Sequence, residues 1–88
     1  MKNNILFYIT IISVFSLNIY SQKAKVAAAD KKYDNYAFVS AIKTYERVAE
    51  KGYKSADMFQ KLGNAYYFNG ELKEASRWYG ELFAMTTD

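Results

Sequence analysis

Along this chain the apolar positions change pattern once. A nearly unbroken apolar run from Ile5 to Tyr20, interrupted by Thr10, Ser13, Ser16 and Asn18, gives way to apolar residues spaced three and four apart. That spacing marks helices with one buried face. The first such stretch, 22–33, carries only the thin stripe Val26, Ala29 and Tyr33 among alanines and lysines. Its helix propensity is high, but it has little to bury, and it is expected to fray most. Residues 36–51 present Phe38, Ala41, Ile42, Tyr45, Val48 and Ala49 on one side. A third helix, ending at Phe68, presents Phe59, Leu62, Gly63, Tyr66 and Tyr67. The fourth, 71–85, presents Leu72, Ala75, Tyr79, Leu82 and Phe83, with a second line through Trp78 and Met85. The apolar arc of this last helix is wider than one partner requires.

The polar positions punctuate these helices. Asp34-Asn35 predicts a turn and an N-cap for the second helix. Lys51 suits the negative end of that helix, and Gly52 suits the left-handed residue that closes it. Ser55 is a good N-cap for the third helix, with Asp57 in its first turn. Asn69-Gly70 is a turn, and Glu71 and Glu74 favour the start of the fourth helix. Gly63 costs about 1 kcal/mol of helix propensity and needs a packing reason. Gly80 weakens the last helix with no reason visible in the sequence.

The second and fourth helices share a pattern. Ala41 and Ala75 stand 34 residues apart, as do Tyr45 and Tyr79, Val48 and Leu82, and Phe38 and Leu72. A fixed period of that length is the sign of stacked helix–turn–helix units. The second copy, Phe59-x-x-Leu62-Gly63-x-x-Tyr66 followed by Ala75-x-x-x-Tyr79-x-x-Leu82, resembles the tetratricopeptide (TPR) repeat family. The first copy is degenerate, with Lys25, Ala28 and Lys32 where the second has Phe59, Leu62 and Tyr66. A polar face of that kind suits a terminal position in a stack. The resemblance implies an all-α fold: two TPR-like helix-turn-helix hairpins, 22–55 and 56–88, forming an α-solenoid fragment after the N-terminal segment 1–21. It also explains Gly63, which would let the two helices of a hairpin approach closely.

Segment 1–21, a single lysine, an apolar run and a small residue before a polar start, reads as a secretory signal peptide cleaved after Ser21. The apolar run is shorter than the ~20 residues that span a bilayer comfortably, although an uncleaved anchor is the alternative. Removing it leaves eleven basic and nine acidic residues, interleaved along 22–88. A balance that near neutral does not make the electrostatic footprint of a nucleic-acid binder, and no nucleic-acid partner is expected. The chain has no His and no Cys, which removes the commonest general base, the thiol nucleophile and the usual transition-metal ligands. Its four glycines form no phosphate-cradling loop. No catalytic residue, metal site or cofactor is expected, and Glu46 with Glu50 reads as a solvated face rather than a catalytic pair.

In TPR proteins the first helices of successive repeats line a concave groove that takes extended peptides. The resemblance places Asp57, Gln60, Asn64, Tyr67 and Phe68 there, with Asn64 matching an asparagine that holds a peptide backbone or terminal carboxylate. Trp78, Leu82 and Met85 are expected to face outward as an exposed end-face interface, for a partner or a continuing TPR repeat. More broadly, the chain looks like the N-terminal portion of Bacteroidetes OmpA-family envelope proteins, in which TPR repeats precede a β-propeller and a peptidoglycan-binding domain. That resemblance implies an exported protein–protein interaction scaffold, periplasmic or associated with the outer membrane through a larger envelope complex. An inner-membrane-anchored or cytoplasmic adaptor is the alternative. Export is testable directly: N-terminal sequencing is expected to find Gln22 first, and Ile11→Arg to block processing. Full-length protein with Met1 retained in the soluble cytoplasm would refute it.

Overall fold

A computed structural model describes residues 20–86. The segment read as a signal peptide therefore lies, up to residue 19, outside the described residues. Four helices follow one another: α1 over 20–34, α2 Phe38–Glu50, α3 Ala56–Phe68 and α4 Leu72–Thr86. Helix α3 packs against α2 on one side and α4 on the other. The architecture is all-α, with two helix hairpins in a generic helical-repeat arrangement. No helix among the described residues is long and apolar enough to cross a membrane.

The helix ends follow from local chemistry. Ser55 takes the amide of Met58 at 3.1 Å, satisfying one orphan N–H at the start of α3. Helices α1, α2 and α3 all close with the paired backbone bonds of a Schellman turn. After α2, Gly52 N–H donates to the Ala49 carbonyl and Tyr53 N–H to that of Val48, at 3.0 and 3.3 Å. After α3, Gly70 and Glu71 do the same to Tyr67 and Tyr66, and after α1, Tyr36 and Ala37 do so to Tyr33 and Lys32. Such closure needs a left-handed residue, and Gly52 and Gly70 supply it at φ +94° and +80°. In the first turn the position falls to Tyr36, at φ +64°. This corrects the cap expected at Asp34-Asn35. The closure consumes Tyr36 and Ala37, so α2 starts after Ala37, which offers no side-chain cap bond.

A single core runs through the stack. Ala29, Ala41, Tyr45, Val48, Met58, Leu62 and Ala65 are wholly withdrawn from solvent, and Phe59, Ala75 and Trp78 nearly so. The expected outward orientation of Trp78 is thereby overturned. Its ring, 7% exposed, lies against Phe59 of α3 with centroids 5.3 Å apart, and the Arg77 guanidinium sits 4.9 Å above it. Leu82 is half-buried against the core, and Met85 is exposed. The sector of α4 that turns inward takes Trp78 from one apolar line and Tyr79 from the other, with Ala75 and Leu82 shared by both. Leu72 and Phe83, at 61% and 64%, are the most exposed large residues of the helix, ahead of Met85. A helix with too wide an apolar arc buries whichever sector its neighbour reaches, and here the neighbour is α3.

Gly63 is buried where α3 faces Tyr79 of α4, and a β-carbon there would overlap the Tyr79 ring. The ring cannot swing aside freely, because its hydroxyl donates to Asn64 Oδ1 at 2.6 Å. Gly80, also inside a helix, has open space around it. The two glycines are expected to respond oppositely to the same change. Gly80→Ala should raise stability by about 1 kcal/mol through helix propensity. Gly63→Ala should lower it despite the same propensity gain, since overpacking costs about 1–3 kcal/mol. Thermal unfolding followed by circular dichroism measures both; a stabilised Gly63→Ala protein would refute the close approach.

Candidate functional site

Helices α1 and α3 lie side by side, and the residues expected to bind a partner are on α3. Asp57 and Gln60 are exposed in its first two turns. Lys61 lies between Asp57 and Asp30 of α1, 3.0 and 3.4 Å from their carboxylates. Burial works to lower the Lys61 pKa, but the two carboxylates outweigh it and raise the pKa above its ordinary value. Tyr67 and Phe68 are well exposed at 57% and 60%, with their rings 6.0 Å apart and edge-to-face. Phe68 also leans on Phe38 at 5.3 Å, which ties the end of α3 to the start of α2.

Asn64 is differently placed. Its side-chain oxygen accepts from the Tyr79 hydroxyl, and its nitrogen donates to the Tyr33 hydroxyl at 3.2 Å. Both ends of the amide are thus engaged inside the protein, and one N–H remains for a ligand. Asn64 therefore anchors the face while Asp57, Gln60, Tyr67 and Phe68 stand open on it. Tyr33, Asp30 and Lys61 belong to the same network and were not singled out as binding residues from sequence. The period could have found the first two. Tyr33 stands 34 residues before Tyr67, and Asp30 stands 34 before Asn64.

The same shift relates two hydrogen bonds. Tyr45 donates to Asp30 Oδ1 at 2.6 Å, and Tyr79 donates to Asn64 Oδ1 at 2.6 Å. A third phenol, Tyr66, donates to Glu46 Oε2 at 2.7 Å and joins α3 to α2. Glu46 is thus a packing contact, where a solvated face was expected. Burial first, and then the accepting carboxylate, push the Tyr45 and Tyr66 phenols far above their ordinary range. Tyr79 is raised too, by burial and then by Tyr33 and Tyr67.

Two clefts accompany this face, and the second shares Tyr67 with it. One, of about 290 Å³, lies between α2 and α4 over Phe59 and Trp78, with Glu46, Glu50 and Arg77 at its walls. The other, of about 400 Å³, runs along the outer side of α4 between Tyr67, Leu72 and Phe83. Among the described residues no cluster of His, Cys, Asp and Glu is arranged to hold a metal ion.

The chain matches no family model, no curated protein and no solved structure.

The phenols make the fold sensitive to alkali. Folding raises the Tyr45, Tyr66 and Tyr79 phenols above the pKa of about 10 at which unfolded tyrosines ionise. Their contribution is complete below that value and is lost as pH rises above it, because the unfolded chain then releases protons that the fold retains. An alkaline titration is expected to show these phenolates forming in the same step that abolishes the helical circular dichroism. Tyr45→Phe should make the alkaline limb shallower. Phenolate formation at all three positions in a protein that stays helical would refute the assignment.

Proposed function

We propose that this chain is a TPR-type protein-interaction module, exported to the bacterial envelope, that takes an extended polypeptide across the face formed by α1 and α3. One observation carries the reading. The tyrosine-to-acceptor bond of the first hairpin recurs 34 residues later at the same length. A hairpin that repeats to that degree is a stacking unit, and stacked hairpins offer an extended side-by-side surface of their first helices. The chemistry of that surface suits a peptide. Asp57 and Gln60 supply an acceptor and an amide, Tyr67 and Phe68 supply aromatic area, and Asn64 keeps one N–H for a peptide carbonyl. Binding, without catalysis or a cofactor, is the activity proposed. Envelope location rests on the N-terminal signal-like segment and on the resemblance to OmpA-family proteins.

Site-specific photocrosslinking in the native host tests this reading. A photoreactive residue at Gln60 is expected to give a discrete protein adduct in the envelope fraction. The same residue at Lys43, exposed on α2, is not. Asp57→Lys together with Tyr67→Ala should abolish the adduct while the circular dichroism stays unchanged. Equal labelling from both positions, or none from Gln60, would refute the α1–α3 face.

A further inference from the structure

The cleft along α4 is a second copy of a seat that the protein already fills. In the first hairpin, α3 rests on a surface made by Tyr33 of α1 and by α2. Tyr33 meets Asn64, Phe38 meets Phe68, Glu46 takes the hydroxyl of Tyr66, and Ile42 is buried in the core. Advancing these residues by 34 gives Tyr67, Leu72, Gly80 and Ser76, and advancing Ala49 gives Phe83. All five line the cleft, together with Ala75 and Tyr79, which repeat Ala41 and Tyr45 unchanged. The first copy of the seat is covered by a helix. No helix among the described residues covers the second, and Tyr67, Leu72 and Phe83 are each more than half exposed.

We propose that this seat docks an amphipathic helix of the α3 kind from a partner polypeptide, by apolar packing without ion pairs. The internal copy sets the shape of the occupant, and the differences between the copies set its chemistry. Asp30 and Glu46, which engage Lys61 and Tyr66, are replaced by Asn64 and Gly80, so the second seat presents no charge. Ile42 and Glu46 are replaced by the smaller Ser76 and Gly80, which leaves a hollow between Leu72 and Phe83. The partner helix therefore sets a bulky side chain over Gly80, where α3 sets Tyr66 against Glu46. This also supplies the reason for a glycine inside α4: among the described residues nothing lies within 4 Å of the place a β-carbon would take there. A second copy of the chain is a poorer occupant. The positions of α1 that match Met58, Leu62 and Ala65 are Ala24, Ala28 and Lys31, all exposed and without large apolar groups.

The probe is a fluorescent peptide of residues 55–70, locked helical by a lactam between Ala56→Glu and Gln60→Lys, two exposed positions of α3. Anisotropy with the full chain is expected to show saturable binding that is insensitive to salt, because no ion pair contributes. Gly80→Arg fills the hollow without disturbing any internal contact, and should weaken binding about tenfold or more. Asp57→Lys, away from the seat, should leave it unchanged, which separates this surface from the α1–α3 face. Failure of the locked peptide to bind, or equal binding to the folded Gly80→Arg protein, would overturn the proposal. So would sedimentation showing a dimer that Gly80→Arg dissociates, since the occupant would then be the chain itself.

Discussion

The hydrogen bond from a tyrosine packed into the core to a side-chain oxygen one helix away is the contact on which the rest depends. It occurs twice, from Tyr45 to Asp30 and from Tyr79 to Asn64, at 2.6 Å each time. In both hairpins the residue just before the acceptor, Ala29 or Gly63, is small and buried. The small residue lets the helices approach, and the ring fills the space made available. The hydroxyl then finds an acceptor without which its burial would cost free energy. Together these three features set the distance and register of a hairpin whose helices are too short to be stable alone.

The two acceptors also explain how the hairpins join. A carboxylate only accepts, so Asp30 has lone pairs to spare, and it draws Lys61 across from α3. An amide both accepts and donates, so Asn64 accepts a hydrogen bond from Tyr79 and donates one to Tyr33 on α1. Either way, the group that locks one hairpin also reaches the other. Exposed ion pairs contribute little, and Lys61 is only partly shielded, so the apolar contacts beneath carry most of the stability. The polar bonds select the register in which those contacts meet.

The first hairpin is held less well at its outer side. Lys25 stands where the second hairpin has the buried Phe59, and its pKa is lowered by contact with Lys51 and then by the charge of Arg47. Like charges there oppose the docking of α1 on α2, where Phe59 and Trp78 attract each other in the second hairpin. Tyr36 adds a left-handed residue without glycine's freedom, and its edge contact with Phe38 at 6.0 Å offsets part of that cost. Ala29, Tyr33 and the Asp30 bonds fasten helix α1, with Val26 packed against the core and Gln22 buried.

Composition and spacing alone determined the number of helices among the described residues, most of their ends and the 34-residue repeat. These rest on local rules: a period of three and four, a serine that caps, a glycine that turns left-handed. The close approach at Gly63 was expected from the repeat pattern around it, whereas Gly80, equally inside a helix, has open space, so helical placement alone does not tell the two apart. The cap at Asp34-Asn35 was misread because the closure of α1, which depends on how the chain turns through Tyr36, claimed those residues first. On α4 two overlapping apolar lines were written in the sequence, and nothing local ranks one above the other. Only the position of α3 decided that Trp78 packs inward and that Leu72 and Phe83 stay out. The same holds for Asn64, whose exposure on a helical wheel gives no hint that two tyrosines from different helices converge on it. Which residues lie on a face follows from the period, but which face is covered depends on the neighbour that arrives, and that is a property of the assembled helices.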